Sequence, residues 1–369
     1  MAALNLTSTV DQTVTFVELF FDLVFVFSVT QVVGLLHDGL NWLVVGQAIL
    51  VFWLVWWAWT QFTWTLNAAD TTHTWVQIGT LAATSVAFFM AVALPQAFGD
   101  RALWFALTYI LVRVIGLSLQ YYLGSESSAL RSAVTTWVLV SIGGLVVVLI
   151  GGYLGGRLQI WFWAAAILLD LFATAIGGRA EGWNIHPDHF SERHALFVII
   201  ALGEGLIVAA GTVTGALWTN TLFLVAILAE LITCGLWWSY FPRAKPVLDS
   251  ALESAHGADQ AQMARDVYSL MHFVMLLGVI IYAYAVEIAI AHPGDPLSFD
   301  GRIALAAGLL LFVGGMAIAI WRASKKLLIA RIVVILATAV TILALTNVSG
   351  VITLAIALAG VLLVAIIEQ

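Results

Sequence analysis

A chain of 369 residues that is 62% hydrophobic and only 9% charged, with a mean hydropathy of +1.04, is far more apolar than a soluble core requires, since soluble domains run at about 25% charged residues. It reads as an all-α protein, a polytopic membrane helical bundle with no long polar stretch left for a soluble domain. The net charge of −7 argues against nucleic acid and anionic substrates as partners, and the single cysteine, Cys234, excludes a disulfide framework and a thiolate metal site.

The N-terminal MAALNLTSTVDQTVTF lacks a basic n-region and so does not read as a cleaved signal peptide; the first helix is expected to direct insertion. A span takes about 20 apolar residues, and suitable runs lie near 14–38, 42–64, 74–94, 101–123, 131–153, 159–177, 193–213, 219–241, 266–291, 302–321, 327–346 and 349–367. About twelve transmembrane helices are therefore expected. Most connections are short. The exceptions are 178–192 and the charged stretch 242–265, which reads as a hinge.

Lysine and arginine set the orientation. Arg131, Arg179, Arg193, Arg243, Lys245, Arg265, Arg322, Lys325, Lys326 and Arg331 fall on the side of the termini, against Arg101, Arg157 and Arg302 on the other. This places both termini in the cytoplasm, with the protein in the plasma (inner) membrane. A faint repeat pairs Phe16-x-Glu18 with Phe190-x-Glu192, Trp56-Trp57 with Trp237-Trp238, and Asp100-Arg101 with the stretch from Asp300 to Arg302. It suggests a parallel 6+6 arrangement: an N-terminal half over 1–177, an inter-half cytoplasmic loop over 178–192, and a C-terminal half over 193–369.

The first run opens with VELFFDLVFVFSVTQ, which puts Glu18 and Asp22 four residues apart at the start of a membrane helix. Thr15-x-x-Glu18 has the form of a capping box, in which the glutamate reaches back to the threonine amide, and an acid in a first turn suits the helix dipole. Asp22 lies about two turns in, beyond the reach of the cap. It needs a cationic or hydrogen-bonding partner, with Arg193, His194 or Arg179 on other helix ends as the candidates.

ELFFDLVFVFSVTQ at 18–31 and HFSERHALFVIIALGEG at 189–205 resemble the signatures of the bacterial low temperature requirement protein A family, and the likeness covers essentially the whole chain. The resemblance implies a multi-pass membrane protein and marks Glu18, Asp22, Gln31, Glu192, Arg193 and Glu204 as motif positions. It names no substrate.

Arg113, Asp170, Glu204 and Glu230 each lie about eleven or twelve residues into their runs, near the midplane at about 1.5 Å per residue. Inserting each costs about 2.5–3.5 kcal/mol, which makes each a functional candidate. One arginine cannot neutralise three carboxylates, so at least one acid should pair with Arg113 and at least one should carry a proton. The alternative is a set of structural interhelical pairs that lock the bundle. Arg193 and Glu204 share a helix face, as do Glu230, Cys234 and Trp237, and Tyr268 and His272. Ser28, Thr30 and Gln31 suit interhelical hydrogen bonding.

His186, Asp188, His189, Glu192 and His194 are the densest ligand-like group, but their spacing matches no zinc motif, and Asp188 and Ser191 are natural helix caps. No metal or cofactor is expected. Trp53, Trp56, Trp57, Trp59 and Trp64 read as interface belt, or as a stack for a flat ligand or a quinone-like lipid. The glycine pairs 143–144, 151–152 and 314–315 read as close helix packing.

The function expected from this pattern is a secondary transporter, proton- or ion-coupled, that carries a small molecule or ion through the lipid bilayer. Its candidate binding residues are Asp22, Arg113, Asp170, Glu204 and Glu230, supported by a polar network of Glu18, Gln31, Glu192, Arg193 and His194. The competing readings are a membrane-embedded enzyme or lipid- or cofactor-binding protein with a cytoplasm-facing site, and a structural or sensing protein.

Overall fold

The computed structural model describes residues 13–36, 39–123, 128–177, 185–214 and 218–367. Among these there is no strand, only an isolated antiparallel bridge between Pro296 and Ser349. The helices are α1 (Phe16–Leu35), α2 (Trp42–Ala68), α3 (Thr74–Ala93), α4 (Ala102–Leu123), α5 (Ser128–Leu154), α6 (Gly156–Gly177), α7 (Pro187–Thr214), α8 (Asn220–Ser239), α9 (Lys245–Ser254), α10 (Gly257–Met263), α11 (His272–Ala291), α12 (Phe299–Ser324), α13 (Ile329–Ala344) and α14 (Gly350–Ile367). Among the described residues, ten continuous helices are long and apolar enough to cross a membrane. The seventh and eleventh expected runs correspond to α7, of 28 residues, and to the shorter α13, of 16. Such a chain is a helical membrane bundle, because in hydrocarbon a helix satisfies its backbone groups from within.

The stretch 242–265, expected as a charged hinge, takes regular structure. It is mostly helix, continuous with the spans through two π-helical segments, Tyr240–Ala244 and Ala264–Met271. Pro242 sits in the first of these. It lacks an N–H and its ring crowds the preceding turn, which a wider turn relieves. Pro246 falls in the first turn of α9, where proline is tolerated. Leu248 and Leu252 then give α9 a fully buried edge one turn apart, and Lys245 reaches Asp249 at 2.5 Å. Charge content alone suggested a loop, whereas the apolar residues at helical spacing made a helix.

The chain groups into two compact units. The first holds α1, Trp42–His194 and Leu252–Arg265, and the second holds Leu36–Asn41, Ala195–Ala251 and the chain from Asp266 onward.

Within the first unit α2 is the central helix. Every residue from Val51 to Thr63 is buried, as expected of a helix that is apolar all round. The tryptophans pack on one another: Trp53 stacks on Trp57 at 5.3 Å between centroids, and Trp56 on Trp59 at 4.7 Å. Two polar stripes nevertheless run down α2 at i, i+4, i+8 spacing. Trp59, Thr63 and Asn67 form one, and Trp57, Gln61 and Thr65 form the other, about 200° away at roughly 100° per residue.

Of the glycine pairs, Gly151 and Gly152 mark close approach: added side-chain carbons would lie 2.7 Å from Trp163 and 2.6 Å from Ala106. Gly143 and Gly314 face open space. Sequence reading missed a crossing in the second unit where glycines come close to backbone rather than to side chains. At α11 and α12, a side-chain carbon at Gly278 would fall 2.6 Å from the Phe312 nitrogen, and one at Gly308 would fall 2.8 Å from the Tyr282 nitrogen.

Candidate functional site

The two signature stretches meet in the first unit. Glu18 and Asp22 occupy one face of α1, four residues apart. His189 and Arg193 occupy one face of α7 at the same spacing, so each acid finds its own basic partner. The Arg193 guanidinium contacts the Asp22 carboxylate, and its second terminal nitrogen lies 3.6 Å from Glu18. His189 Nε2 lies 3.1 Å from Glu18 Oε1. All four side chains are fully buried. Glu18 also caps its helix, accepting the Thr15 amide at 3.0 Å and its hydroxyl at 2.9 Å. The capping box and the buried ion cluster thus share one carboxylate.

α2 closes the cluster. Trp59 Nε1 donates to Asp22 Oδ1 at 2.7 Å, and the Arg193 guanidinium lies over the Trp59 and Phe21 rings, 5.6 and 6.0 Å from their centroids. His194 sets its ring edge-on to Trp59 at 5.0 Å and donates from Nδ1 to the Phe190 carbonyl at 2.9 Å. The Trp59 bond is a charge-assisted donor to a buried carboxylate. Trp59→Phe is therefore expected to cost about 1.5–3 kcal/mol, read as a drop in melting temperature in detergent. A variant that melts with the wild type would show that the bond contributes little.

Asn67 fixes the state of His189. The Asn67 side-chain oxygen accepts from the His186 amide at 2.9 Å, so its nitrogen is the donor, to the His186 carbonyl at 3.0 Å and to His189 Nδ1 at 3.2 Å. With Nδ1 accepting, the ring proton sits on Nε2 and points at Glu18, the donor pattern of a neutral imidazole. The cluster then holds two carboxylates against one guanidinium. Asp22 Oδ2 is buried with no hydrogen-bond partner among the described residues.

The second stripe of α2 faces another buried pair. Arg113 of α4 donates from both terminal nitrogens to Asp170 Oδ1 of α6, at 3.5 and 3.4 Å, and to the Tyr109 hydroxyl at 2.8 Å. Trp57 is a further hydrogen-bonding neighbour of Asp170, and Gln61 donates to the Arg113 carbonyl at 3.1 Å. A side-chain carbon at Gly116 would lie 2.7 Å from the Gln61 amide, so glycine is what lets α4 approach α2 here. The ion pair is longer than the usual 2.7–2.9 Å of a charge-assisted bond, and Arg113 Nε has no hydrogen-bond partner among the described residues.

The remaining candidates are dispersed. Glu230 belongs to the second unit. It is exposed on α8, lines a cleft of roughly 350 Å³ with Trp218, Phe223 and Ile290, and accepts a weak bond from Cys234 at 3.7 Å. Gln31 is half-buried, nine residues past Asp22, and makes no hydrogen bond among the described residues. Glu192 is exposed and enters no ion pair among them. The Glu204 side chain and Arg179 lie outside the described residues. No group of three metal-binding side chains occurs among the described residues. Asn67 and Trp59 drew no attention in the sequence as partners of this cluster. A polar residue at eight-residue spacing from a tryptophan on an otherwise apolar helix was the available signal.

In the second unit, Tyr240 and His272 meet at 2.8 Å. His272 Nδ1 donates to the Val267 carbonyl at 3.0 Å, so Nε2 accepts from the tyrosine. Tyr268 stacks on His272 at 5.2 Å and donates to Asp249 at 3.1 Å. This line of contacts joins the two π-helical segments.

Comparison with known proteins agrees with the signature motifs. The chain is 28% identical over 319 residues to RA0937, an uncharacterized protein of Rhizobium meliloti (strain 1021), covering 83% of this chain and 76% of that protein. No solved structure matches. The family model for the bacterial low temperature requirement A protein (LtrA) matches residues 13–366. Nearly the whole chain, including both motifs that build the buried cluster, lies within that match, and the chain is a multi-pass membrane protein of the low temperature requirement A family.

Proposed function

We propose that the protein is a secondary transporter, proton- or ion-coupled, with both termini cytoplasmic, and that the Glu18–Asp22–Arg193–His189 cluster is where the coupling proton or cation binds. One observation carries the reading: two fully buried carboxylates share one guanidinium, the adjacent imidazole has the hydrogen bonds of its neutral form, and Asp22 Oδ2 is unpartnered. Buried charge without a counter-charge is expensive, so the cluster calls for one more positive charge. A proton or small cation supplies it, and releasing that charge would change the stability of the whole contact. The Arg113–Asp170 pair is the second proposed binding element, long enough for a ligand group to compete for either partner. Glu230 and Glu204 complete the proposed set, Glu204 by its place in the motif.

A site for a lipid-soluble cofactor would draw on the α2 tryptophans. Trp53, Trp56, Trp57 and Trp59 are buried and stacked in pairs, which favours transport as the reading.

The test is proton movement in proteoliposomes loaded with a pH-sensitive dye and challenged with gradients of small cations and neutral solutes. Wild-type protein is expected to move protons in response to at least one gradient, and Asp22→Asn to reduce the rate tenfold or more. A response equal to that of empty vesicles across the panel, or an unchanged rate in Asp22→Asn, would sink the proposal.

A further inference from the structure

The second unit contains a cleft that the transport reading does not use. It is roughly 440 Å³ in volume and lies where helices end: at the C-terminal end of α12, the first turn of α13 and the C-terminal end of α14, beside the π-helical turn after α8. Arg243 lies some 23 residues beyond the start of α8, about 35 Å along the helix at 1.5 Å per residue, which exceeds a hydrocarbon core of about 30 Å. The cleft therefore opens at the level of lipid headgroups.

Its lining is divided by chemistry. Arg243, Lys326 and Arg331 supply three positive charges, whereas Ile320, Leu328 and Ile367 supply an apolar wall. No carboxylate among the described residues lines it. Elsewhere on the same unit Lys245 pairs with Asp249 and Arg322 with Asp266 at 2.9 Å, while Arg302 donates to the Leu343 carbonyl at 3.0 Å. Arg243 and Lys326 have no such partner among the described residues, and the Arg243 Nε is buried without a hydrogen-bond acceptor. Arg331 is itself 1% exposed. A left-handed Lys325, with φ of 59°, ends α12 and turns the chain so that Lys326 enters the cleft.

A buried donor without an acceptor, two unpaired cations and an apolar wall at headgroup depth together specify an amphiphilic anion. We propose that this cleft is a binding site for one anionic phospholipid, with its phosphate held by Arg243, Lys326 and Arg331 and an acyl chain laid along Ile320, Leu328 and Ile367. Basic pockets between helices at the membrane surface bind such headgroups. Free phosphate shares the headgroup chemistry but has no use for the apolar wall.

The experiment uses the full chain in neutral detergent micelles, titrated with phosphatidylglycerol, phosphatidylcholine or inorganic phosphate and read by native mass spectrometry. Phosphatidylglycerol is expected to bind about tenfold or more tightly than phosphatidylcholine, roughly the contribution of one or two basic side chains. Inorganic phosphate at the same concentrations is expected to bind no more than weakly. The double variant Arg243→Gln/Lys326→Gln should lose the preference, and Arg157→Gln, an exposed arginine in the first unit, should keep it. Should the double variant fail to fold, the wild-type preference must still fall as salt is raised. Equal binding of the two lipids, a preference that survives the double variant or high salt, or phosphate binding as tightly as the lipid would overturn the proposal.

Discussion

Arg193→Met is expected to be the most damaging single replacement in the buried cluster, costing about 3–5 kcal/mol, measured as a fall in melting temperature and in the monodisperse fraction on size exclusion in detergent. The guanidinium is the only positive charge among Glu18, Asp22 and His189 when the imidazole is neutral, and all of these groups are fully buried. Its removal also strips the faces of Trp59 and Phe21 of a cation. Methionine fills much of the volume, so the loss reports charge more than packing. The triple variant Glu18→Gln/Asp22→Asn/Arg193→Met removes the acids along with the base. It is expected to recover most of the lost stability, because a buried ionic group replaced as a whole is far less costly than one broken in half. A triple variant as unstable as Arg193→Met would show that packing, not charge, sets the cost. The two readouts, stability and transport, also separate: a stable triple variant that moves no protons would place the function in the charges themselves.

Gly278→Val and Gly308→Val are expected to have the next largest effect. At this crossing the obstacles to a side chain are backbone atoms: the Phe312 nitrogen and Gly308 oxygen facing Gly278, and the Tyr282 nitrogen and Gly278 oxygen facing Gly308. Backbone cannot swing aside as a side chain does, so α11 and α12 must separate. Overpacking of this kind costs about 1–3 kcal/mol and at times more, and separation also loses the dispersion contacts that hold membrane helices together. Gly314→Val on α12 faces open space and is expected to melt within a degree or two of wild type. Comparable losses in Gly314→Val would mean that the α11–α12 contact is not the determinant.

The helical architecture was legible because a bilayer leaves few alternatives: apolar runs of about 20 residues become helices, and boundaries fell near the expected ones. The partner of Asp22 was legible for a related reason. A buried carboxylate two turns past a cap demands a cation, and the start of α7 offered several, of which Arg193 is the one in contact. Contributions from α2 were hidden. Asn67 and Trp59 look like ordinary members of an aromatic helix, and their roles depend on which of its faces meets α1 and α7, which no local pattern encodes. The charged stretch 242–265 misled because charge was weighed before spacing; Leu248 and Leu252 at one turn apart already described a helix edge. Arg113 and Asp170 pair as charge balance suggested, whereas Glu230 lies in a cleft of the second unit, because depth in a span says nothing about which way a side chain faces.

The two stripes on α2 have a mechanical consequence. Trp59 holds Asp22 from one side of the helix, and two residues away Trp57 meets Asp170 from nearly the opposite side. A rigid rod transmits rotation without loss. If loss or gain of a proton at Asp22 turned α2 by even a few degrees, Trp57 would swing in the opposite direction against the Arg113–Asp170 pair, which would gear the two buried charge centres of the first unit to one another through a single shaft.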